Sequence, residues 1–307
     1  MTSQNPSSQT ASLPASPLLM GAICYAVWGL APLVYLPIHA FGGGAIEIIC
    51  HRAIWALTLL AVLILITRQG ANLKAIFRHP AHMGLLLLSA TMLTANWGVF
   101  VWAVTHGRTL ETSLGYYLNP LLNMAAGAIF FRERLDRYGQ AAIALAVAGV
   151  ALQALAIGHI PLVSLFLAFS FAGYGLVRKQ LAVTAMSGLF TECLFMCVPA
   201  IIYLGWLAAH GGGHFLSAPS HIFWFMLTGP VTVIPLALFS YAARRLPLST
   251  LGFLQFIAPT ITFCIGLNEG EPFSLWRGVS FVVIWIGAGV FAYGAWRRLK
   301  AVKLAAG

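Results

Sequence analysis

Several ionisable side chains lie inside long apolar runs of the sequence, where a charge needs a partner. Arg52 is the most informative of them, and Glu47 and His51 precede it in the same run. An unpaired arginine at membrane depth costs several kcal/mol, and its planar fork of donors suits a carboxylate or a phosphate. Two interpretations of Arg52 stay open: a structural pair with Glu47 or Glu111, or an anchor for an anionic group of a substrate.

Four carboxylate or imidazole side chains are candidates for proton transfer or gating: Glu47, His51, Glu111 and Glu192. Histidine titrates near neutral pH, and a carboxylate can do so where its surroundings disfavour the charge. For Glu192 the plainer alternative is an interfacial or paired carboxylate. The five cysteines lie in apolar runs without a His or Asp cluster. We therefore predict no metal site and no bound cofactor.

Aromatic rings and amides within the apolar runs are candidates for lining a binding cavity. A pocket for a small amphipathic ligand is mostly apolar with a few polar anchors. The alternative is a network of hydrogen bonds between helices, with packed rings. With Arg52, the candidate substrate-binding residues are Trp28, Asn96, Trp97, Tyr116, Asn119, Tyr174 and Gln255.

Prolines inside the apolar runs predict interrupted helices. Each removes a backbone hydrogen bond, and the freed carbonyl needs a partner or a water-lined cavity. Pro120 and Pro259 follow a Leu-Gly-aromatic motif in matching places of the two halves of the chain, and Pro32 and Pro235 are further candidates. Interrupted helices at corresponding positions point to a central site. A kink that only improves packing is the alternative.

The apolar runs have the length of membrane spans. Hydrophobic residues make up 60% of the 307 residues, and charged residues only 8%, too few to cover a soluble surface. We predict an all-α integral membrane protein with ten transmembrane helices. A disordered tail over 1–17 precedes them, and a basic cytoplasmic tail over 299–307 follows. The predicted spans are 18–38, 44–66, 83–105, 112–131, 139–157, 160–178, 187–208, 221–243, 247–267 and 276–296.

The basic residues predict the orientation of these spans. If the N-terminus is cytoplasmic, 14 of the 17 Lys and Arg residues fall on the cytoplasmic side, as the positive-inside rule requires. We therefore predict both termini in the cytoplasm and a bacterial plasma (inner) membrane location. The net charge of +10 is then a topology signal facing anionic lipid, and we expect no nucleic-acid partner. The 14 residues are Arg68, Lys74, Arg78, Arg132, Arg134, Arg137, Arg178, Lys179, Arg244, Arg245, Arg297, Arg298, Lys300 and Lys303.

A weak internal repeat divides the chain in two. Glu47 matches Glu192, the stretch 25–30 matches 171–176, and 113–116 matches 250–253. Five spans in each half would insert the second half upside down relative to the first, which is typical of secondary transporters. The acidic–basic turn at 132–134 and the turn at 269–272 would then lie on opposite faces. We predict two inverted five-helix repeats over 18–157 and 160–298.

Several motifs together resemble one transporter family. The chain is similar to the RarD proteins, a branch of the EamA-type transporters in the drug/metabolite transporter superfamily, over roughly 18–298. The motifs that carry the resemblance are Trp28-Gly29-Leu30-Ala31-Pro32, His51-Arg52, Asn96-Trp97, Glu111-Thr112-Ser113-Leu114-Gly115-Tyr116-Tyr117-Leu118-Asn119-Pro120-Leu121, Phe171-Ala172-Gly173-Tyr174-Gly175-Leu176-Val177-Arg178-Lys179 and Leu248-Ser249-Thr250-Leu251-Gly252-Phe253.

The resemblance implies a ten-helix inner-membrane transporter with a cavity between its halves. It implies export or exchange of small organic solutes, and chloramphenicol-type phenotypes are associated with the family name. The chain has no Walker motif, so we expect a secondary-active transporter, driven by a proton or an exchanged solute. A membrane-embedded enzyme acting on lipid or a lipid-linked substrate, or a channel, is the alternative. Substrate, coupling, direction and oligomeric state stay open.

Overall fold

The protein is helical throughout the residues that its structure describes. This computed structural model describes residues 16–130, 136–246 and 248–305, which form α-helices without a strand. The all-α prediction is confirmed. The helices are α1 (Pro17–Gly29), α2 (Pro32–Ala40), α3 (Ala45–Ile66), α4 (Gly70–Phe77), α5 (Pro80–Thr105), α6 (Thr109–Phe130), α7 (Arg137–Ile157), α8 (Leu162–Lys179), α9 (Ala185–Ala209), α10 (Pro219–Ala243), α11 (Leu248–Leu254), α12 (Ile257–Asn268) and α13 (Leu275–Ala305).

The helices correspond to the ten predicted spans. Within the described residues, nine segments are long and apolar enough to cross a membrane. The pairs α1/α2 and α11/α12 form the first and ninth spans, and α4 is a short extra helix. The fourth predicted span is α6, whose 22 residues reach across a bilayer although its tyrosines and asparagines keep it out of those nine. The chain is thus a multi-pass membrane protein.

The two predicted tails and one predicted turn have different outcomes. The helix α13 continues to Ala305, through most of the predicted basic tail. The first 15 residues of the predicted N-terminal tail and the acidic–basic turn at 132–134 lie outside the described residues.

Contacts at one end of the bundle join helices that are far apart in sequence. We call the end at which α1 begins the start face. Gly21 of α1 lies against Leu246, just beyond the end of α10. Near the same end, α5, α8 and α9 meet, and α7 meets α13. The contacting pairs are Ser89 with Glu192, Arg178 with Glu192, and Arg297 with Tyr138.

The opposite end, which we call the far face, is held by a different set of contacts. It joins α3 to the loop between α9 and α10, α6 to the residues after α12, and α6 to the start of α8. The pairs are Glu47 with His214, Leu110 with Glu271, and Glu111 with Ser164. Ser164 lies in the first turn of α8, so α8, the first helix after residue 160, begins at the far face, opposite to the end at which α1 begins.

Helix packing relates the two halves. The contacts of α5 with α8, α3 with α10, and α6 with α8 correspond to those of α10 with α1, α9 with α5, and α12 with α1. The pairs α7/α13, α3/α9 and α6/α12 also pack directly. Exchanging each span for the one five places along thus keeps these main contacts. The largest buried apolar cluster lies among α2, α3, α5, α8, α9 and α10.

Two of the four proline positions coincide with interrupted helices. Pro32 begins α2 after the break at residues 30 and 31, and Pro259 lies in the first turn of α12 after the break at 255 and 256. By contrast, Pro120 and Pro235 lie inside continuous helices, so the predicted interruptions are absent there. A proline removes only one helical hydrogen bond, and a well-packed helix continues past it.

The two breaks lie side by side. The Thr262 hydroxyl donates to the Gly29 carbonyl at 3.2 Å, next to the break in the first span. A Cβ at Gly29 would lie 2.8 Å from the Ala258 carbonyl oxygen and 2.8 Å from the Ile261 Cβ. Only glycine permits this close approach between α1 and α12.

Candidate functional site

Arg52 lies in the interior of the bundle, and no acidic side chain of the described residues pairs with it. Its Nε donates to the Thr232 hydroxyl on α10 at 2.9 Å, and only 6% of the residue is exposed. The guanidinium lies 3.7 Å from the centroid of the Trp97 indole and 5.9 Å from the Tyr35 ring. Within the described part of the chain, no carboxylate forms an ion pair with it. Aromatic faces and one hydroxyl are thus its surroundings.

The two carboxylates that the sequence offered to Arg52 have other partners at the far face. Glu47 accepts hydrogen bonds from the His214 backbone N–H at 2.8 Å, and its other oxygen lies 2.9 Å from the His214 Nδ1. Glu111 accepts from the Arg108 Nε and Nη2 at 2.8 and 3.0 Å. The structure therefore does not contain the predicted structural pairs with Arg52.

His51 is enclosed by aromatic rings. Its imidazole centroid lies 4.6 Å from that of Phe215 and 4.4 Å from that of Phe225, and the residue is buried. Its Nδ1 has no hydrogen-bond partner among the described residues. The side chain that adjoins Arg52 in sequence thus lies in a separate, apolar setting.

Asn96 ties three helices together beside Trp97. Its amide nitrogen donates to the Leu167 carbonyl at 3.0 Å and to the Ser170 hydroxyl at 2.9 Å, both on α8. Its carbonyl oxygen accepts from the Tyr116 hydroxyl of α6 at 3.2 Å. These bonds use both N–H groups of the amide and give its oxygen one donor, which matches the alternative of a hydrogen-bond network between helices for this residue.

Aromatic contacts extend from Tyr116 toward the start face. The Tyr116 and Phe171 centroids are 6.2 Å apart, and those of Phe171 and Tyr174 are 5.9 Å apart. The Tyr174 hydroxyl then donates to Glu192 at 3.3 Å. A connected set of side chains, built from both halves of the chain, therefore leads from Arg52 to Glu192.

Glu192 is completely buried near the start face and has three partners. The Ser89 hydroxyl donates to its Oε1 at 2.6 Å, and the Arg178 Nη1 lies 3.5 Å from the same oxygen. Gly188 makes room for the guanidinium, because a Cβ there would overlap the Arg178 side chain. The Glu192 carboxylate thus has the Arg178 guanidinium as counter-charge, whereas Arg52 has no counter-charge among the described residues.

Comparison with known proteins identifies the family. The chain is 39% identical over 280 residues to the protein RarD of Escherichia coli K12, covering 91% of this chain and 94% of that protein. It is 39% identical over 277 residues to an uncharacterized transporter of Vibrio cholerae serotype O1, covering 90% and 91%. The chain belongs to the RarD family, which is of the EamA type. The predicted family is therefore confirmed, and the chain is a membrane transporter.

The fold of this RarD-family chain also resembles a solved structure. One crystal structure matches it with a TM-score of 0.61 at 18% identity and covers 94% of this chain and 99% of that one, which supports the fold alone. No family model matches the chain.

The RarD-family chain brings together five of the eight predicted substrate-binding residues: Arg52, Asn96, Trp97, Tyr116 and Tyr174. The other three lie elsewhere. Trp28 packs against Tyr25 and Phe239, half-buried Gln255 lies at the break before α12, and Asn119 is buried with its Oδ1 unpartnered. Within the described residues no hydrogen bond or ring contact joins these three to the Arg52 set.

Four polar residues of the set were not among the candidates predicted from the sequence. Tyr35 and Thr232 contact Arg52, and Ser89 and Arg178 contact Glu192. The sequence carried a signal for two of them. Thr232 lies between the closely spaced Pro230 and Pro235, and Arg178 follows Tyr174 by about one helical turn. Tyr35 and Ser89 carry no comparable signal.

Proposed function

We propose that this RarD-family chain is a secondary-active transporter that exports or exchanges small organic solutes by alternating access. The observation that carries the proposal is the interior set from Arg52 to Glu192. Arg52, Trp97 and Tyr116 belong to the first half, and Thr232 and Tyr174 to the second. A site shared by two halves changes shape when they move relative to each other, as alternating access requires.

The proposed architecture is a pair of inverted five-helix repeats over 18–157 and 160–298. The corresponding helix contacts of the two halves support a duplication. The opposite starting faces of α1 and α8 support its inversion. In this proposal the paired breaks before Pro32 and Pro259 are the hinges of the motion, and Pro120 and Pro235 allow smaller bends.

The proposed orientation makes the start face cytoplasmic. Arg68 and Arg245 follow helices that end there, and Arg178 lies in the last turn of α8, in agreement with the positive-inside rule. Both termini then lie in the cytoplasm of a bacterium, with the chain in the inner membrane. The solute, the lipid bilayer and a proton or exchanged solute are the proposed partners.

Proposed gating residues lie at both faces. At the far face, Glu47 with His214 and the Glu111 carbonyl with Ser164 join the two halves and would stabilise the closed arrangement, and His51 packs against Phe215, next to His214. At the start face Glu192 has the corresponding role, and it is the candidate for proton exchange because Ser89 and Tyr174 connect it to the interior set. Protonation would cancel its attraction to Arg178 and loosen that face.

A two-stage experiment tests the function. Comparing small molecules inside and outside cells with and without the protein identifies candidate solutes, and purified protein in liposomes is then loaded with each one. We expect saturable flux that is accelerated by the same solute on the opposite side. Flux that neither saturates nor is accelerated would indicate a channel, and chemical conversion of the solute would indicate an enzyme. Either result would contradict the proposal.

A further inference from the structure

Arg52 presents hydrogen-bond donors that the protein does not use. Its Nε has Thr232 as partner, whereas neither Nη group makes a hydrogen bond within the described residues. The three buried carboxylates within the membrane helices have other partners: Glu47 with His214, Glu111 with Arg108 and Glu192 with Arg178. A buried cation without a counter-charge is expensive, so such residues inside a membrane generally have a functional partner.

A second unused donor lies beside the first. The Tyr35 hydroxyl is completely buried beside the Arg52 guanidinium, which offers only donors, and its O–H has no acceptor within the described residues, although most buried hydroxyls have one. Its ring centroid lies 5.9 Å from the Arg52 guanidinium carbon. Two neighbouring donors, one of them charged, thus lack an acceptor, and an oxyanion would satisfy both.

The surroundings restrict the shape of that anion. Trp97 covers one face of the guanidinium and Thr232 occupies its Nε, which leaves the edge with the two Nη groups. Two parallel donors on one edge match the two oxygens of a carboxylate. The neighbouring walls are aromatic, since the Tyr35 and Phe100 centroids are 6.2 Å apart and those of Phe100 and Tyr116 are 5.4 Å apart.

We propose that Arg52 and Tyr35 bind the carboxylate of an organic monoanion whose planar, apolar body lies against Trp97, Phe100 and Tyr116. This inference deepens the proposed transport function and rests on it for the identification of the anion as a substrate. One cation balances one negative charge, so a dianion such as a phosphate monoester would bring an uncompensated charge into the interior. The selected class is therefore the monocarboxylates with a flat hydrophobic group.

Equilibrium binding to the purified full-length protein tests the anion site without any transport. The probes are benzoate, its neutral isostere benzamide, and phenyl phosphate at about pH 8, where the phosphate is a dianion, and the readouts are tryptophan fluorescence and the unfolding temperature. We expect saturable binding of benzoate. Binding should be at least about tenfold weaker for benzamide, which lacks the charge-assisted hydrogen bonds, and for phenyl phosphate, which brings an uncompensated charge. Equal affinity for benzamide, or no benzoate binding at millimolar concentration, would overturn the proposal.

Three variants locate the binding. Arg52→Met removes the charge, Arg52→Lys keeps it without the planar fork, and Tyr35→Phe removes only the hydroxyl. We expect benzoate affinity to fall about 30-fold or more in the first and severalfold in the other two. The control is Tyr117→Phe, whose hydroxyl bonds to Thr260 instead, and it should bind as the wild type does. Unchanged benzoate affinity in Arg52→Met and Arg52→Lys would overturn the site.

Flux measurements then separate this inference from the proposed function. Benzoate binding that depends on Arg52, together with no flux of any solute, would contradict the transporter and leave the anion site in place. Saturable flux of a solute that is equal in wild type and Arg52→Lys would contradict the anion site and leave the transporter in place.

Discussion

Buried Arg52 and partly exposed Arg178 have opposite electrostatic situations. Arg178 lies 3.5 Å from the Glu192 carboxylate, which also accepts bonds from Ser89 and Tyr174. Arg52 lies against aromatic rings and one threonine hydroxyl, without a carboxylate among the described residues. The protein therefore compensates the charge of Arg178 with Glu192, whereas Arg52 has no counter-charge among the described residues, and we propose that a bound anion supplies it.

Breaking the internally compensated pair should have the largest effect on stability. Arg178→Gln leaves the Glu192 carboxylate buried with only its two hydroxyl donors. Removing one partner of a buried ion pair typically costs about 3 kcal/mol or more. We expect a clear fall in the unfolding temperature of the purified protein in detergent, measured by fluorescence.

The double variant Arg178→Gln, Glu192→Gln is the control for this prediction. It removes the orphaned charge, so it should recover most of the lost stability. If the single variant were as stable as the wild type, the pair would contribute nothing and the comparison of the two arginines would lose its basis.

Substitution of Gly188 tests the Arg178–Glu192 pair by displacing the Arg178 guanidinium without removing either charge. A methyl group at Gly188 would overlap the Arg178 guanidinium, whereas nothing lies within 4 Å of a Cβ at Gly205 in the same helix. Gly188→Ala should destabilise the protein by about 1–2 kcal/mol. Gly205→Ala should be neutral or stabilise by up to about 1 kcal/mol, because alanine favours helix. Equal unfolding temperatures for the two variants would contradict the described position of Arg178.

Two tyrosine-to-phenylalanine substitutions provide a smaller test, with opposite signs. The Tyr117 hydroxyl lies 2.7 Å from the Thr260 hydroxyl, so Tyr117→Phe should cost about 1 kcal/mol. The Tyr35 hydroxyl is buried and unpartnered, so Tyr35→Phe should leave stability unchanged or raise it slightly. Chemical or thermal unfolding in the absence of any carboxylate gives both values. A loss at Tyr35 equal to that at Tyr117 would mean that its hydroxyl already has a partner.

The spans were predictable from the sequence because apolar length is a local property. Nine of the ten correspond to helical segments that are long and apolar enough to cross a membrane. The tenth, α6, is long enough but less apolar, because it carries polar side chains. Helix interruptions were predictable only in part. The prolines at 32 and 259 follow breaks and those at 120 and 235 do not, since neighbouring helices decide whether a chain bends or stops.

The partners within the site were not predictable in the same way. Arg52 and Thr232 are 180 residues apart in sequence, and Glu192 and Ser89 are 103 apart. The residue type indicated that Arg52 needed a partner, but only the tertiary packing determines which residues surround it. The same packing places Glu47 beside His214 and not beside Arg52. Five of the eight candidate residues therefore lie together, and the pair of Arg52 with Glu47 or Glu111, one of two open alternatives, is absent from the described residues, while the binding role of the set stays a prediction.

The most direct test of the account is the stability of Arg52→Met with and without benzoate. Methionine replaces the buried charge with an apolar side chain of similar length, and Thr232 still donates to the Thr228 carbonyl at 2.8 Å. If Arg52 has no counter-charge until a carboxylate binds, the variant without ligand should unfold at or above the temperature of the wild type, and benzoate should not raise that temperature. An unfolding temperature far below that of the wild type, with benzoate still raising it, would contradict the account.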